Sequence, residues 1–160
     1  MMAGGDWDVL VESDVMVPMR DGVRLATDLY RPAKPGAAAA APGPFPAILE
    51  RTPYDKGAKN LRSNISARDP RPRSRADTAS FFASHGYIVA VHDCRGRFNS
   101  EGSFTKYSSE AEDGYDTLVW LEGQDWSDGR VGTMGLSYNA HVQAALACLD
   151  PPGLAAMILD

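Results

Sequence analysis

Gly135-Leu136-Ser137-Tyr138-Asn139-Ala140 is the stretch of this sequence whose residue types and spacing most readily do chemistry. It follows a short strand, Val131-Gly132-Thr133-Met134. It precedes a segment with helical spacing, in which Val142, Ala145, Leu146 and Leu149 share one side. A serine in a tight strand-to-helix turn takes up a strained backbone that projects its hydroxyl above the carboxyl edge of a sheet. Small neighbours are needed, because strand and helix pack closely around the bend. Gly135 meets that need on one side. On the other, the glycine usual two positions after serine is Asn139, and the small residue comes one later, at Ala140. Asparagine tolerates unusual backbone angles better than most residues, so the turn is not excluded. Taken alone, these residues leave Ser137 open between a nucleophile and a helix N-cap.

A serine nucleophile needs a base. His85 ends a helix, His92 ends a strand, and His141 lies one helical turn after Ser137, facing along the helix. All three read as structural or solvent-facing, and none is assigned as the base. Glu110, Glu112 and Asp113 could suggest metal binding or acid/base work. Their place in the first turns of a helix, where the helix dipole favours negative charge, explains them more simply. Arg62, Arg68, Arg71 and Arg73 are opposed only by Asp69 in the stretch from Lys59 to Arg75. With prolines at 70 and 72 and no interleaved aromatics, that stretch reads as a solvated loop rather than an anion-binding patch. Cys94 and Cys148 have neither disulfide nor metal-ligand spacing and are expected to be reduced, partly buried thiols.

The elements around these groups alternate strand and helix. Asp14 to Met19 and Val23 to Tyr30 form a strand pair about the Arg20-Asp21-Gly22 turn. Pro32 to Pro44 is a surface connector. Ala47-Ile48-Leu49 is a short strand opening into Arg51-Thr52-Pro53-Tyr54. Ala76, Ala79, Phe82 and Ala83 mark a helix stopped by Gly86. Tyr87 to Val91 is apolar enough for a strand covered on both faces. A helix from Ser108 or Ser109 to Gly123 buries Tyr115, Leu118, Val119 and Leu121. Ser127-Asp128-Gly129 turns into Val131–Met134, residues 138–149 are helical, and Leu154 to Leu159 begins a further strand. This order implies a mostly parallel sheet with helices on both faces and an antiparallel hairpin at its front edge.

Four further motifs precede Gly-x-Ser-Tyr in order. They are Arg51-Thr52-Pro53-Tyr54-Asp55-Lys56, Asp93-Cys94-Arg95-Gly96, Ser100-Glu101-Gly102-Ser103-Phe104 and Glu112-Asp113-Gly114-Tyr115-Asp116. Together they closely resemble the cocaine-esterase and X-Pro dipeptidyl-peptidase family of α/β hydrolases, from about Val15 to the last residue. Members typically have Gly-x-Ser-Tyr-x followed by Gly or Ala, which Ala140 fits. The resemblance implies an α/β-hydrolase fold with Ser137 as nucleophile. It implies the backbone N–H of Tyr138 as one oxyanion donor and the phenolic hydroxyl of Tyr54 as the second. Without the resemblance, Tyr54 would read as a surface loop aromatic.

In this fold the triad order is Ser, then Asp or Glu, then His. The expectation is therefore that residues 1–160 form the N-terminal part of a single α/β-hydrolase domain, truncated after the nucleophile helix and inactive alone. The complete enzyme is expected to cleave an ester, an amide or a short X-Pro peptide through an acyl-serine, with no metal and no organic cofactor. The competing expectation is a non-catalytic protein that keeps the fold as a binding or interaction module. A net charge of −5 argues against nucleic acid as a partner. No run approaches the ~18 apolar residues of a membrane span, and no signal peptide is visible, so a cytoplasmic address is expected.

Overall fold

The computed structural model describes residues 5–59 and 73–160, and among these residues it has six strands and three helices. The elements are β1 (Asp8–Pro18), β2 (Arg24–Ala33), β3 (Phe45–Thr52), α1 (Arg75–Ser84), β4 (Ile88–Asp93), α2 (Glu110–Glu122), β5 (Ser127–Gly135), α3 (Tyr138–Ala147) and β6 (Leu154–Leu159). They form one sheet in the order β1-β2-β4-β3-β5-β6. β1 with β2 and β2 with β4 are antiparallel, and the remaining pairs are parallel. Arg62, Arg68 and Arg71 of the basic stretch lie outside the described residues.

Alternation along the central strands divides the core between the two faces. Val89 and Val91 of β4 meet Ala79 and Ala83 of α1 on one side. Ala90, with Leu49 of β3 and Val131 of β5, meets Leu118 and Leu121 of α2 and Leu146 of α3 on the other. Every residue of β4 is buried, as a strand covered on both faces requires. Each fully buried Val, Leu or Ile adds roughly 1.5–3 kcal/mol. α1 starts on a capping box, in which Ser74 Oγ accepts from Asp77 N–H and Asp77 Oδ2 accepts from Ser74 N–H.

Several boundaries and burial patterns differ from the sequence reading. β1 begins at Asp8 rather than Asp14, because a register shift between Glu12 and Val15, with Asp14 at φ 54°, breaks the period-two pattern. β5 begins at Ser127, where a turn was expected. Local bonds from Gly129 N–H to Ser127 Oγ and from Arg130 N–H to Asp128 Oδ1 bend that stretch without ending its pairing with β3. Val119 and Leu149 are exposed rather than buried, and Ala76 opens α1 on its solvent side. The cysteines differ from each other: Cys94 is fully buried, which pushes its thiol up to about 12, and Cys148 is exposed.

The acidic start of α2 is the largest difference. Glu112 is exposed, but Glu110 and Asp113 are buried. Burying a carboxylate demands a charged partner. Arg51 Nη2 lies 3.0 Å from Glu110 Oε2, and Arg95 donates to both oxygens of Asp113, at 2.6 and 3.0 Å. These side chains are a buried ion-pair network and not solvated dipole complements.

Candidate active site

The carboxyl ends of β3 and β5 open a crevice, because the connection leaving β3 runs through α1 on one face and the connection leaving β5 runs through α3 on the other. Ligands of open parallel sheets settle at such a switch point. Here it is a cleft of about 340 Å³ whose lining includes Tyr54, Ser137, Glu50, Arg75 and Asn139.

Ser137 sits between β5 and α3 at φ 59°, ψ −115°. An N-cap serine ordinarily takes an extended backbone and accepts from the first turn through its hydroxyl. Ser137 does neither: its side chain makes no cap hydrogen bond, and the residue is exposed. Holding a non-glycine residue in so sparse a region costs about 1–3 kcal/mol. The surroundings fix it. Ser137 N–H donates to the Asp160 carbonyl at 3.0 Å, and its own carbonyl accepts from Ala140 and His141 N–H.

Gly135 is needed for closeness. A Cβ there would lie 2.4 Å from Asn139 Cβ and 3.1 Å from Asn139 C. The strained angles fall on Ser137 itself, as expected of a serine in this turn, and Asn139 is an ordinary residue of α3 whose tolerance of unusual angles is not called on. Asn139 fits beside Gly135 because its side chain turns to Glu50, donating from Nδ2 to Oε1 at 2.9 Å.

Tyr138 is the first residue of α3, so its N–H has no helical carbonyl behind it and is a free donor by geometry. Its side chain is buried, and burial pushes the phenol above its ordinary range, keeping it protonated.

Tyr54 lies just past β3, 52% exposed, with its ring edge-on to Tyr138 at 6.3 Å between centroids. No protein group among the described residues holds its hydroxyl. The loop beneath it is firmly tied. Arg97 Nε donates to the Pro53 carbonyl at 3.0 Å, Lys56 N–H to Asp93 Oδ1 at 2.8 Å, and Arg75 Nη1 to the Asp55 carbonyl at 3.1 Å. Lys56 Nζ reaches Asp14 at 2.7 Å and Asp28 at 2.9 Å. Burial works against that ammonium, yet the two carboxylates carry its pKa above the ordinary lysine value.

No histidine side chain is hydrogen-bonded to the Ser137 hydroxyl among the described residues. His92 is fully buried, with Nδ1 3.0 Å from Thr27 Oγ1, and burial lowers it well below the ordinary range, so it is neutral. His141 is exposed and packs edge-on against Tyr107, 4.4 Å between centroids. His85 is exposed at the end of α1.

Two cleft residues escaped the sequence reading. Glu50 pairs with Arg75 Nε at 2.9 Å, and burial raises its carboxyl above the usual range despite that partner. The available signal was a lone charge closing the apolar run Ala47-Ile48-Leu49.

Comparison with known proteins gives a consistent result. The model of the X-Pro dipeptidyl-peptidase (S15) family matches residues 21–160. The cocaine esterase of Rhodococcus sp. (strain MB1 Bresler) is 41% identical over 152 residues, covering 95% of this chain and 24% of the esterase. A putative Xaa-Pro dipeptidyl-peptidase of Bacillus anthracis is 27% identical over 135 residues, covering 71% of this chain and 23% of its own. Among solved structures, a CocE/NonD family hydrolase from Staphylococcus aureus superposes with a TM-score of 0.74 at 32% identity, covering 93% of this chain and 27% of that one. An α-amino acid ester hydrolase gives a TM-score of 0.70 at 28% identity, over 98% of this chain and 26% of its own. The chain thus spans about a quarter of the length of these relatives.

Proposed function

The chain belongs to the X-Pro dipeptidyl-peptidase (S15) family of α/β hydrolases, and we propose that it supplies the nucleophile and both oxyanion donors of a serine acyl hydrolase. The observation that carries this reading is Ser137 at φ 59°, ψ −115°, its hydroxyl unspent on capping, in one cleft with Tyr54. Ser137 Oγ attacks the carbonyl carbon of an ester or amide. The carbonyl oxygen becomes an oxyanion held by Tyr138 N–H and Tyr54 Oη, each contributing about 3–4 kcal/mol. Collapse expels the alcohol or amine and leaves an acyl-serine, which water then hydrolyses. The serine proton passes to a general base and from it to the leaving alcohol or amine, and no histidine side chain among the described residues is hydrogen-bonded to Ser137 Oγ. The substrate is a small ester, acyl amide or short peptide, and broad esterase or acylase action fits the resemblance to cocaine esterase better than strict peptidase action does.

Partitioning tests the covalent step. The full-length protein is given a series of esters that share one acyl group and differ in leaving alcohol, in the presence of hydroxylamine. A common acyl-serine requires the ratio of hydroxamate to free acid to be the same for every ester. A ratio that changes with the alcohol rules out a shared intermediate, and no turnover at all favours a binding module.

A further inference from the structure

Tyr138 follows Ser137 directly and opens α3, and its side chain is buried and anchored through its hydroxyl. Its Oη donates to Glu110 Oε1 at 2.8 Å and accepts from Tyr107 N–H at 3.1 Å. The ring stacks on Tyr107, 5.0 Å between centroids and 14° from parallel. Glu110 also holds the other arm of the site. Its Oε2 accepts from Arg51 Nη2 at 3.0 Å, and its main-chain carbonyl accepts from Arg51 Nη1 at 2.7 Å. Arg51 is 2% exposed and lies on β3, three residues before Tyr54. One carboxylate therefore ties the start of α3, which carries one proposed donor, to the end of β3, which carries the other.

We infer that Glu110 is a positioning residue that sets the placement of the two oxyanion donors relative to each other, acting on Tyr138 through its phenol and on Tyr54 through Arg51. This rests on the serine-hydrolase reading above. A buried ion pair is a weak device for stability alone, since apolar residues of similar volume often serve as well. An apolar pair could not grip the Tyr138 hydroxyl and the Arg51 guanidinium at once and so hold both arms in register. The grip matters because a misplacement of about 1 Å in a catalytic group can cost about 10²-fold in rate.

Steady-state kinetics on the full-length protein with a p-nitrophenyl ester test it. Tyr138→Phe keeps the ring and removes the tie. Glu110→Ala removes the carboxylate, and Glu110→Gln keeps an acceptor for Tyr138 Oη. Tyr138→Phe and Glu110→Ala should lower kcat by about 10- to 100-fold with KM within about twofold, and Glu110→Gln, which keeps the tie to Tyr138 and loses the one to Arg51, should fall between Glu110→Ala and wild type. A Tyr138→Phe protein with native circular dichroism and kcat within about twofold of wild type would overturn the inference. So would a rise in KM at constant kcat, or a fall in Glu110→Gln as deep as in Glu110→Ala. If the Glu110 variants do not fold, Tyr138→Phe decides alone. Turnover that survives Ser137→Ala would instead defeat the underlying reading, which keeps the two failures distinct.

Discussion

Replacing Ser137 by alanine in the full-length protein is expected to lower ester turnover by about 10⁴–10⁶-fold, because removing a nucleophile removes the covalent route itself. The substitution should leave the fold nearly unaltered. The Ser137 side chain makes no capping bond, so no hydrogen bond of α3 is lost with it. Alanine also meets no greater steric penalty than serine at φ 59°. Thermal midpoints of the two proteins should therefore agree closely while their rates diverge. Rates that agree within about tenfold would return Ser137 to the role of a structural turn residue.

Tyr54→Phe should lower kcat by about 10²–10³-fold with little change in KM, as the loss of one oxyanion donor does. The variant isolates the hydroxyl. The loop is held by Arg97, Arg75, Lys56 and Asp93 and not by the phenol, and the edge-on contact with Tyr138 needs only the ring. A binding contact made equally in ground and transition states behaves differently, raising KM and sparing kcat. That outcome would move Tyr54 from the oxyanion hole to the substrate-binding wall.

The architecture was legible where one residue type carries one meaning. The Arg20-Asp21-Gly22 turn announces the β1–β2 hairpin, the run from Tyr87 to Val91 announces a doubly covered strand, and Gly123 closes α2. The elbow was legible both as a position and in the strained backbone of its serine. Legibility failed where one pattern serves two environments. Glu110 and Asp113 stand where helix-start charges stand, and only the arrival of Arg51 and Arg95 from distant elements shows that they are buried. Glu50 is hidden in the same way, since its partners Arg75 and Asn139 come from α1 and α3. Val119 fits an apolar stripe by spacing, yet α2 turns it outward and buries Thr117 beside Leu118 and Leu121; α3 buries Gln143 beside Val142 and Leu146 and ends at Ala147, which leaves Leu149 past the helix and exposed. Sequence periodicity locates a stripe but does not say which edge of it meets the sheet.

The central claim is that Ser137 is the atom-level site of covalent chemistry. The most direct measurement incubates the full-length protein with a fluorophosphonate, digests it and locates the adduct by tandem mass spectrometry. One phosphonyl group per molecule is expected, on Ser137, appearing in step with the loss of esterase activity. Activity lost with the adduct on any other residue, and Ser137 recovered unmodified, would contradict it.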